Sequence, residues 1–129
     1  MREGEEIERG ISEFARGPNG GLIIVGPPSS MQRYRNLVTG LAARYRLPAV
    51  YATVAFANAG ALISYGVDAI DQYRRGASYV DRILRGDKPA DLPVQAPTKY
   101  QLITDRKVAK ALDLAIPPAL LAIADEVIE

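Results

Sequence analysis

The sequence predicts an α/β fold built on a parallel β-sheet, and three observations support this class. Short apolar runs, each typical of a strand, occupy three places: Leu22–Val25, Ala49–Val54 and Ala61–Tyr65. Segments with apolar residues at helical spacing lie before and between the first two runs, and turns rich in Gly and Pro separate the elements. Strands that alternate with helices imply right-handed crossovers between parallel strands.

The first helix is predicted over about residues 3–16. Ile7, Ile11, Phe14 and Ala15 fall at the spacing of one helix face, and glutamates fill the first turns, where the helix dipole favours negative charge. The Gly- and Pro-rich segment 17–21 ends it. The run Leu22–Val25 then lacks polar alternation, which is typical of a strand covered on both faces.

A second helix follows the turn at Gly26–Ser30, and either Ser29 or Ser30 is expected to cap it. Its apolar stripe comprises Tyr34, Leu37, Val38, Leu41, Ala42 and Tyr45. Leu47 and Pro48 end this helix and lead into the second strand. Residues 55–60 are expected to form a loop or a single helical turn before the third strand.

The longest helix is predicted over about Asp68–Arg85, with Gly86 as its C-terminal cap. Its apolar stripe comprises Ile70, Tyr73, Ala77, Val80 and Leu84, and its other face is charged. A proline-containing connector leads to a strand within Val94–Thr104, which Pro97 interrupts. Asp105 is expected to cap a short helix that runs through Leu112, and Pro117 and Pro118 to open a last helix whose apolar positions extend to Val127.

Composition excludes several classes of function. The 129 residues suit one domain, and a net charge of +1 gives no field for polyanions, so we expect no nucleic-acid partner. The absence of Cys and His removes disulfides, thiolate nucleophiles and the commonest metal ligands. We therefore expect no metal and no cofactor, although carboxylate-only metal sites, Lys Schiff bases and Asp/Glu acid–base pairs stay open. The acidic N-terminal segment is unlike an export signal, and no apolar run approaches a membrane span.

The loops that follow the strands are the expected binding region, because ligands of parallel sheets bind beyond the carboxyl ends of the strands. Ser29 and Ser30 offer hydroxyls and N–H groups for an anion, or serve only as helix caps. Phe56 and Tyr65 form apolar walls for a ligand, or belong to the core. Asp68 pairs a ligand ammonium, or only caps its helix. An enzyme that depends on Asp68 is a further, weaker alternative, and we expect no catalytic residue.

Several segments carry a resemblance to a known family: Leu47–Tyr51, Gly60–Asp68, Gln72–Arg75 and, most specifically, Gly86–Gln95. The sequence resembles the substrate-binding proteins of ABC importers, in the group of tryptophan/tyrosine-type binding proteins, and the similarity spans nearly all of the chain. It matches only the carboxyl-terminal portion of the family. Where Leu102–Arg106 stands, the family usually has an apolar strand that ends in Asn.

The resemblance implies a type I periplasmic-binding-protein-like lobe, incomplete because the first lobe is missing, as a single domain over 1–129 with a crossover segment at about 66–98. It also implies a small solute, with an amino acid the first candidate, bound at Ser29, Ser30, Phe56, Tyr65 and Asp68. An ABC permease partner and a periplasmic location are implied too, with a cytoplasmic one the expectation if Met1 is the natural start.

Without the first lobe, the apolar stripe of the longest helix has to be covered in another way. Several exposed side chains of this size are too costly for a stable monomer, so we expect a homodimer. Two functions stay open: a non-catalytic solute-binding module, or a truncated lobe that dimerises and no longer binds ligand.

Overall fold

The computed structural model describes the backbone of residues 2–129 and all of their side chains except those of Arg2 and Pro28. The chain divides into two compact units. The first comprises the residues up to Gly66 together with Gln101–Glu129, and the second comprises Val67–Tyr100. Each unit is described separately below.

Helices and strands alternate along the chain. The α-helices are α1 (Arg2–Phe14), α2 (Pro28–Arg44), α3 (Ala69–Leu84), α4 (Arg106–Ala111) and α5 (Pro118–Ile123). The strands are β1 (Leu22–Ile24), β2 (Ala49–Tyr51), β3 (Ile63–Val67), β4 (Tyr100–Asp105) and β5 (Glu126–Ile128). Two 3-10 helices, Val54–Ala59 and Pro89–Asp91, lie between them.

The strands form one sheet in the order β1-β2-β3-β4-β5. β1 pairs with β2, β2 with β3, and β4 with β5, all in parallel. The predicted α/β class with a mostly parallel sheet is therefore confirmed. The carboxyl ends of β1, β2 and β3 lie at one edge of the sheet because these three strands run in the same direction.

One face of the sheet carries the core. Ile24, Tyr51 and Ser64 are register partners on three neighbouring strands, so their side chains point to the same face. Tyr51 and Phe56 are each only 1% exposed, and their rings stack with centroids 4.6 Å apart. The helices contribute the rest of this cluster: Met31, Val38 and Ala42 from α2, with Ile7 and Ile11 of α1 packed against it.

The prediction that β1 is covered on both faces is wrong. Leu22 and Ile24 pack toward the core, but Ile23 is 78% exposed and Val25, which follows the strand, is 72% exposed. β1 contributes to the core cluster only Leu22 and Ile24, and the α-helical side chains of that cluster come from α1 and α2. The opposite face of β1 is therefore open, because both helices pack on the same side of it.

Three other local predictions need correction. Neither Ser29 nor Ser30 caps α2, because the helix begins earlier, at Pro28, with Pro27 in the capping position and no side-chain hydrogen bond there. β4 begins only at Tyr100, beyond Pro97. The last helix ends at Ile123, because Asp125 pairs with β4: its N–H donates to the carbonyl of Leu102, and its carboxylate accepts from the Leu102 N–H, both at 2.8 Å. β5 starts directly after it.

The predicted helix caps on the carboxyl side of the chain are confirmed. α3 begins after Asp68 and is followed by Gly86 in a left-handed conformation, at φ 108°. Asp105 caps α4 by accepting a 3.0 Å hydrogen bond from the Val108 N–H. Both aspartates are local signals that the sequence shows directly.

The second unit is α3 with the connector that follows it. The hydroxyl of Tyr79 donates to the carbonyl of Pro93, and the N–H of Asp68 donates to the carbonyl of Lys99 at 3.0 Å. All residues of α3 are described, and none of them is buried. Its apolar stripe is exposed instead, with Tyr73 at 82% and Leu84 at 81%.

Gly66 is expected to be irreplaceable in β3. A Cβ atom there would lie 2.8 Å from the Thr53 Cα and 3.1 Å from the Ala52 carbonyl oxygen, and backbone atoms cannot yield as a side chain does. We expect Gly66→Ala to lower the free energy of unfolding by about 1–3 kcal/mol in urea denaturation. The control is Gly10→Ala in α1, where a Cβ meets open space, and which should raise stability by about 0.5–1 kcal/mol. If both changes had the same effect on the free energy of unfolding, the close approach of Gly66 to the backbone of Ala52 and Thr53 would be contradicted.

Candidate functional site

The N-terminus of α2 lies just after the carboxyl end of β1 and presents free backbone donors. The Met31 N–H makes the first hydrogen bond of the helix, to the Pro27 carbonyl at 3.0 Å. Ser29 and Ser30 precede it, so their N–H groups have no acceptor within the helix, and both residues are exposed. The first turn contains no acidic residue. Such a helix start can hold a carboxylate or another small anion.

A cavity of about 280 Å³ lies beside this helix start. It brings together two of the predicted site residues, Ser30 and Phe56. Its other walls are mostly apolar side chains of α1, β1 and α2: Ile7, Ile11, Ile24, Met31 and Val38. The first turn of α2 therefore joins a polar donor group to an apolar space.

The other predicted residues of the first unit lie differently. Phe56 has the core position that was one of its two predicted roles, because it stacks on Tyr51 and only its edge reaches the cavity. Tyr65 is on β3 and 52% exposed, and Ser29 is exposed in the first turn of α2. Neither Tyr65 nor Ser29 is among the residues found to line the 280 Å³ cavity.

Asp68 belongs to the second unit, where its carboxylate is already engaged. One oxygen accepts from the Asp71 N–H at 3.1 Å and caps α3, and the other lies 3.1 Å from the Lys99 ammonium. The side chain is nearly buried. The hydrogen bond from the Asp71 N–H, followed by that from Lys99, holds the pKa of the Asp68 carboxyl below its usual value. The sequence left two roles open for Asp68, pairing with a ligand ammonium or capping its helix, and these contacts are those of a helix cap.

The sequence analysis assigned no role to Thr53 or to Gly66, which together shape the edge where β2 and β3 end. The Thr53 hydroxyl accepts from the Ala55 N–H at 3.3 Å and caps the 3-10 helix. The Cα of Gly66 faces the Thr53 backbone so closely that no side chain fits. A glycine directly after an apolar run is the signal that could have indicated this close approach.

The described residues contain no group of three or more acidic side chains placed to hold a metal ion. Within residues 2–129, no helix combines the length and the apolar character that a bilayer crossing requires. The site is thus built from helix-terminal N–H groups, serine hydroxyls and apolar walls. Groups of these kinds can hold an anionic or zwitterionic small molecule.

A family model matches most of this chain. The model of the family described as ABC transporter substrate binding protein matches residues 6–128. No curated protein matches.

This chain spans about two-fifths of the length of the solved structures to which it is similar. A conserved domain protein from Vibrio cholerae is 23% identical, with a TM-score of 0.80 over 96% of this chain and 41% of that one. An ABC domain from Streptococcus pneumoniae, solved in complex with L-Trp, is 22% identical, with a TM-score of 0.81 over 97% and 42%. A ligand-free, open substrate-binding protein with adhesive properties from Clostridium difficile is 20% identical, with a TM-score of 0.68 over 97% and 41%. At these identities the likeness shows the fold.

The ion pair at Asp68 predicts a pH-dependent contribution to the stability of α3. The folded pKa is lowered, so the carboxylate stabilises the fold above its ordinary pKa of about 4, and this stabilisation is lost as the pH falls through the folded value. Asp68→Asn keeps a capping oxygen but removes the charge. We expect the melting temperature of this variant, followed by circular dichroism, to be below that of the wild type at neutral pH and to converge with it as the pH falls through the folded pKa of Asp68.

The control for this prediction is Asp81→Asn, which removes a more exposed carboxylate paired with Arg85 on the same helix. It should change the melting temperature little at any pH, because exposed ion pairs contribute little. The prediction would be contradicted if the difference in melting temperature between wild type and Asp68→Asn stayed constant from acid to neutral pH.

Proposed function

Because the chain belongs to the ABC transporter substrate-binding protein family, we propose that it is the solute-binding module of an ABC importer and has no catalytic role. One observation carries the proposal: Ser30, whose N–H group has no acceptor within the helix, lines an apolar cavity at the carboxyl end of β1. The partner in transport is an ABC permease, and the protein acts in the periplasm, as the family implies. Its solute is small, since the cavity measures about 280 Å³.

We assign an amino acid as the ligand class. Its carboxylate would accept from the N–H groups at the start of α2, and its side chain would enter the cavity against Ile11, Ile24 and the edge of Phe56. The pneumococcal structure with L-Trp supports this class, because a protein of the same fold carries an amino acid. Tyr65 would add an aromatic surface.

Asp68 is the assigned partner for the ligand ammonium. Its carboxylate is almost fully enclosed by the Asp71 N–H and Lys99, so an ammonium reaches it only in place of the Lys99 side chain, which is more than half exposed and free to move away. Val67–Tyr100, which forms the separate second unit, corresponds in this proposal to the crossover segment of a two-lobed binding protein.

Isothermal titration against a panel of L-amino acids tests the ligand class. We expect at least one amino acid to bind, and Ser30→Asp to abolish its binding, because the added carboxylate repels the ligand and satisfies the helix start itself. Ser30→Ala keeps the N–H groups and should weaken binding by about tenfold at most. Ser12→Asp, which adds the same charge on α1, should leave affinity unchanged.

Two results would overturn the proposal. Binding of none of the amino acids by this chain and by a two-lobed relative would exclude the ligand class. If Ser30→Asp binds the amino acid with unchanged affinity, the ligand carboxylate does not bind at the start of α2.

The exposed stripe of α3 favours a second candidate: a lobe that dimerises through this helix and binds no ligand. Ile70, Tyr73, Val80 and Leu84 are all more than half exposed and share one helix face. Burial of side chains of this size stabilises an association by about 1.5–3 kcal/mol each. A second copy of the same helix would supply a matching apolar surface.

Light scattering coupled to size-exclusion chromatography tests this candidate. A dimer of this 14.0 kDa chain is expected, and Tyr73→Asp/Leu84→Asp should convert it to a monomer. Gln72→Asp/Ser78→Asp adds the same charge on the opposite helix face and should leave the dimer intact. A monomeric wild-type chain would exclude dimerisation without affecting the titration result.

A further inference from the structure

The first unit contains a second cavity, of about 420 Å³, which shares no lining residue with the cavity at Ser30. It lies between α2 and α4, with the end of the 3-10 helix as a third wall. Gly40 and Ala43 of α2, Ala111 of α4, and Gly60 are among the lining residues, and Ala49 and Tyr51 of β2 form its floor. No charged side chain lines it among the described residues.

The cavity exists because of how the chain passes from β2 to β3. This connection contains a single 3-10 helix of six residues, Val54–Ala59, where a crossover between parallel strands usually carries an α-helix. The layer between α2 and α4 is therefore left partly unfilled. Small side chains extend the space: a Cβ built on Gly40 would meet nothing within 4 Å, although glycine inside a helix is less stable than alanine.

Besides Thr39, two polar side chains line this cavity, those of Asn36 and Tyr51, and of these two only Tyr51 is buried. The residue is 1% exposed, and no described residue forms a hydrogen bond with its hydroxyl. Burial raises its pKa to about 12, so the phenol is neutral and is a hydrogen-bond donor at physiological pH. The other buried hydroxyl in the lining, that of Thr39, is already satisfied by the Arg35 carbonyl at 3.1 Å.

A phenol O–H that lines an apolar space can donate to an acceptor that enters that space. The apolar lining selects against a charged molecule, because a charge would be desolvated there without a partner. We propose that the cavity is a second binding site, for a small, neutral and largely apolar molecule whose single acceptor oxygen takes the Tyr51 O–H.

Fluorine NMR with two matched probes tests the site in this chain. The first probe is 4-fluoroacetophenone, which has one acceptor oxygen, and the second is 1-ethyl-4-fluorobenzene, which has none. We expect both to bind, and Tyr51→Phe, which keeps the ring stacked on Phe56, to weaken only the ketone, by about threefold to tenfold.

Gly40→Leu should block both probes by filling the cavity. The control is Gly10→Leu, since Gly10 is also a helical glycine with open space around its Cβ and does not line the cavity. Failure of both probes to bind the wild-type chain, or equal binding to Gly40→Leu, would overturn the proposal. Equal weakening of both probes by Tyr51→Phe would exclude the hydrogen bond. None of these outcomes affects amino-acid binding at Ser30.

Discussion

The stacking of Phe56 on Tyr51 is the contact on which the rest of the first unit depends. It brings the 3-10 helix down onto the end of β2, where the Thr53 hydroxyl caps that helix and Gly60, at φ 85°, ends it. A connection this compact brings the ends of β2 and β3 so close together that only glycine fits at position 66. The same compactness leaves the space between α2 and α4 open. One aromatic pair therefore shapes both the binding edge and the second cavity.

Aspartates fix where the other elements begin. Asp68 and Asp105 each accept a hydrogen bond from a backbone N–H three residues further on, and so start α3 and α4. Asp125 uses the same chemistry across the sheet, where it accepts from the Leu102 N–H and sets the start of β5 against β4. These carboxylates are engaged with the chain's own backbone. These three conspicuous acidic positions thus have structural roles, whereas the N–H groups of Ser29 and Ser30 at the start of α2 have no acceptor within the helix.

The sequence predicts those features that depend on local chemistry. The bounds of α3, the cap of α4 and the first three strands follow from spacing, capping residues and short apolar runs. Features that depend on distant parts of the chain were missed. β5 forms because of Leu102, the open face of β1 results from both helices packing on the other side, and the cavity at Ser30 needs α1. For the site, helical periodicity located Ser29 and Ser30, but it could not show that Pro28 would start the helix and free their N–H groups.

The exposed face of α3 constrains any function of this chain. Two ion pairs at helical spacing, Asp71–Arg75 and Asp81–Arg85, stabilise the helix by about 0.2–0.5 kcal/mol each. Burial of Tyr73 or Leu84 contributes about 1.5–3 kcal/mol, several times more, so the apolar stripe dominates the energetics of this element. A partner surface is therefore required by α3 in both proposed functions. In the solute-binding module, this surface belongs to another lobe of the binding protein. In the dimerising lobe, it belongs to a second copy of this chain. The Asp68 cap and the two ion pairs stabilise the helix itself and do not cover its apolar stripe.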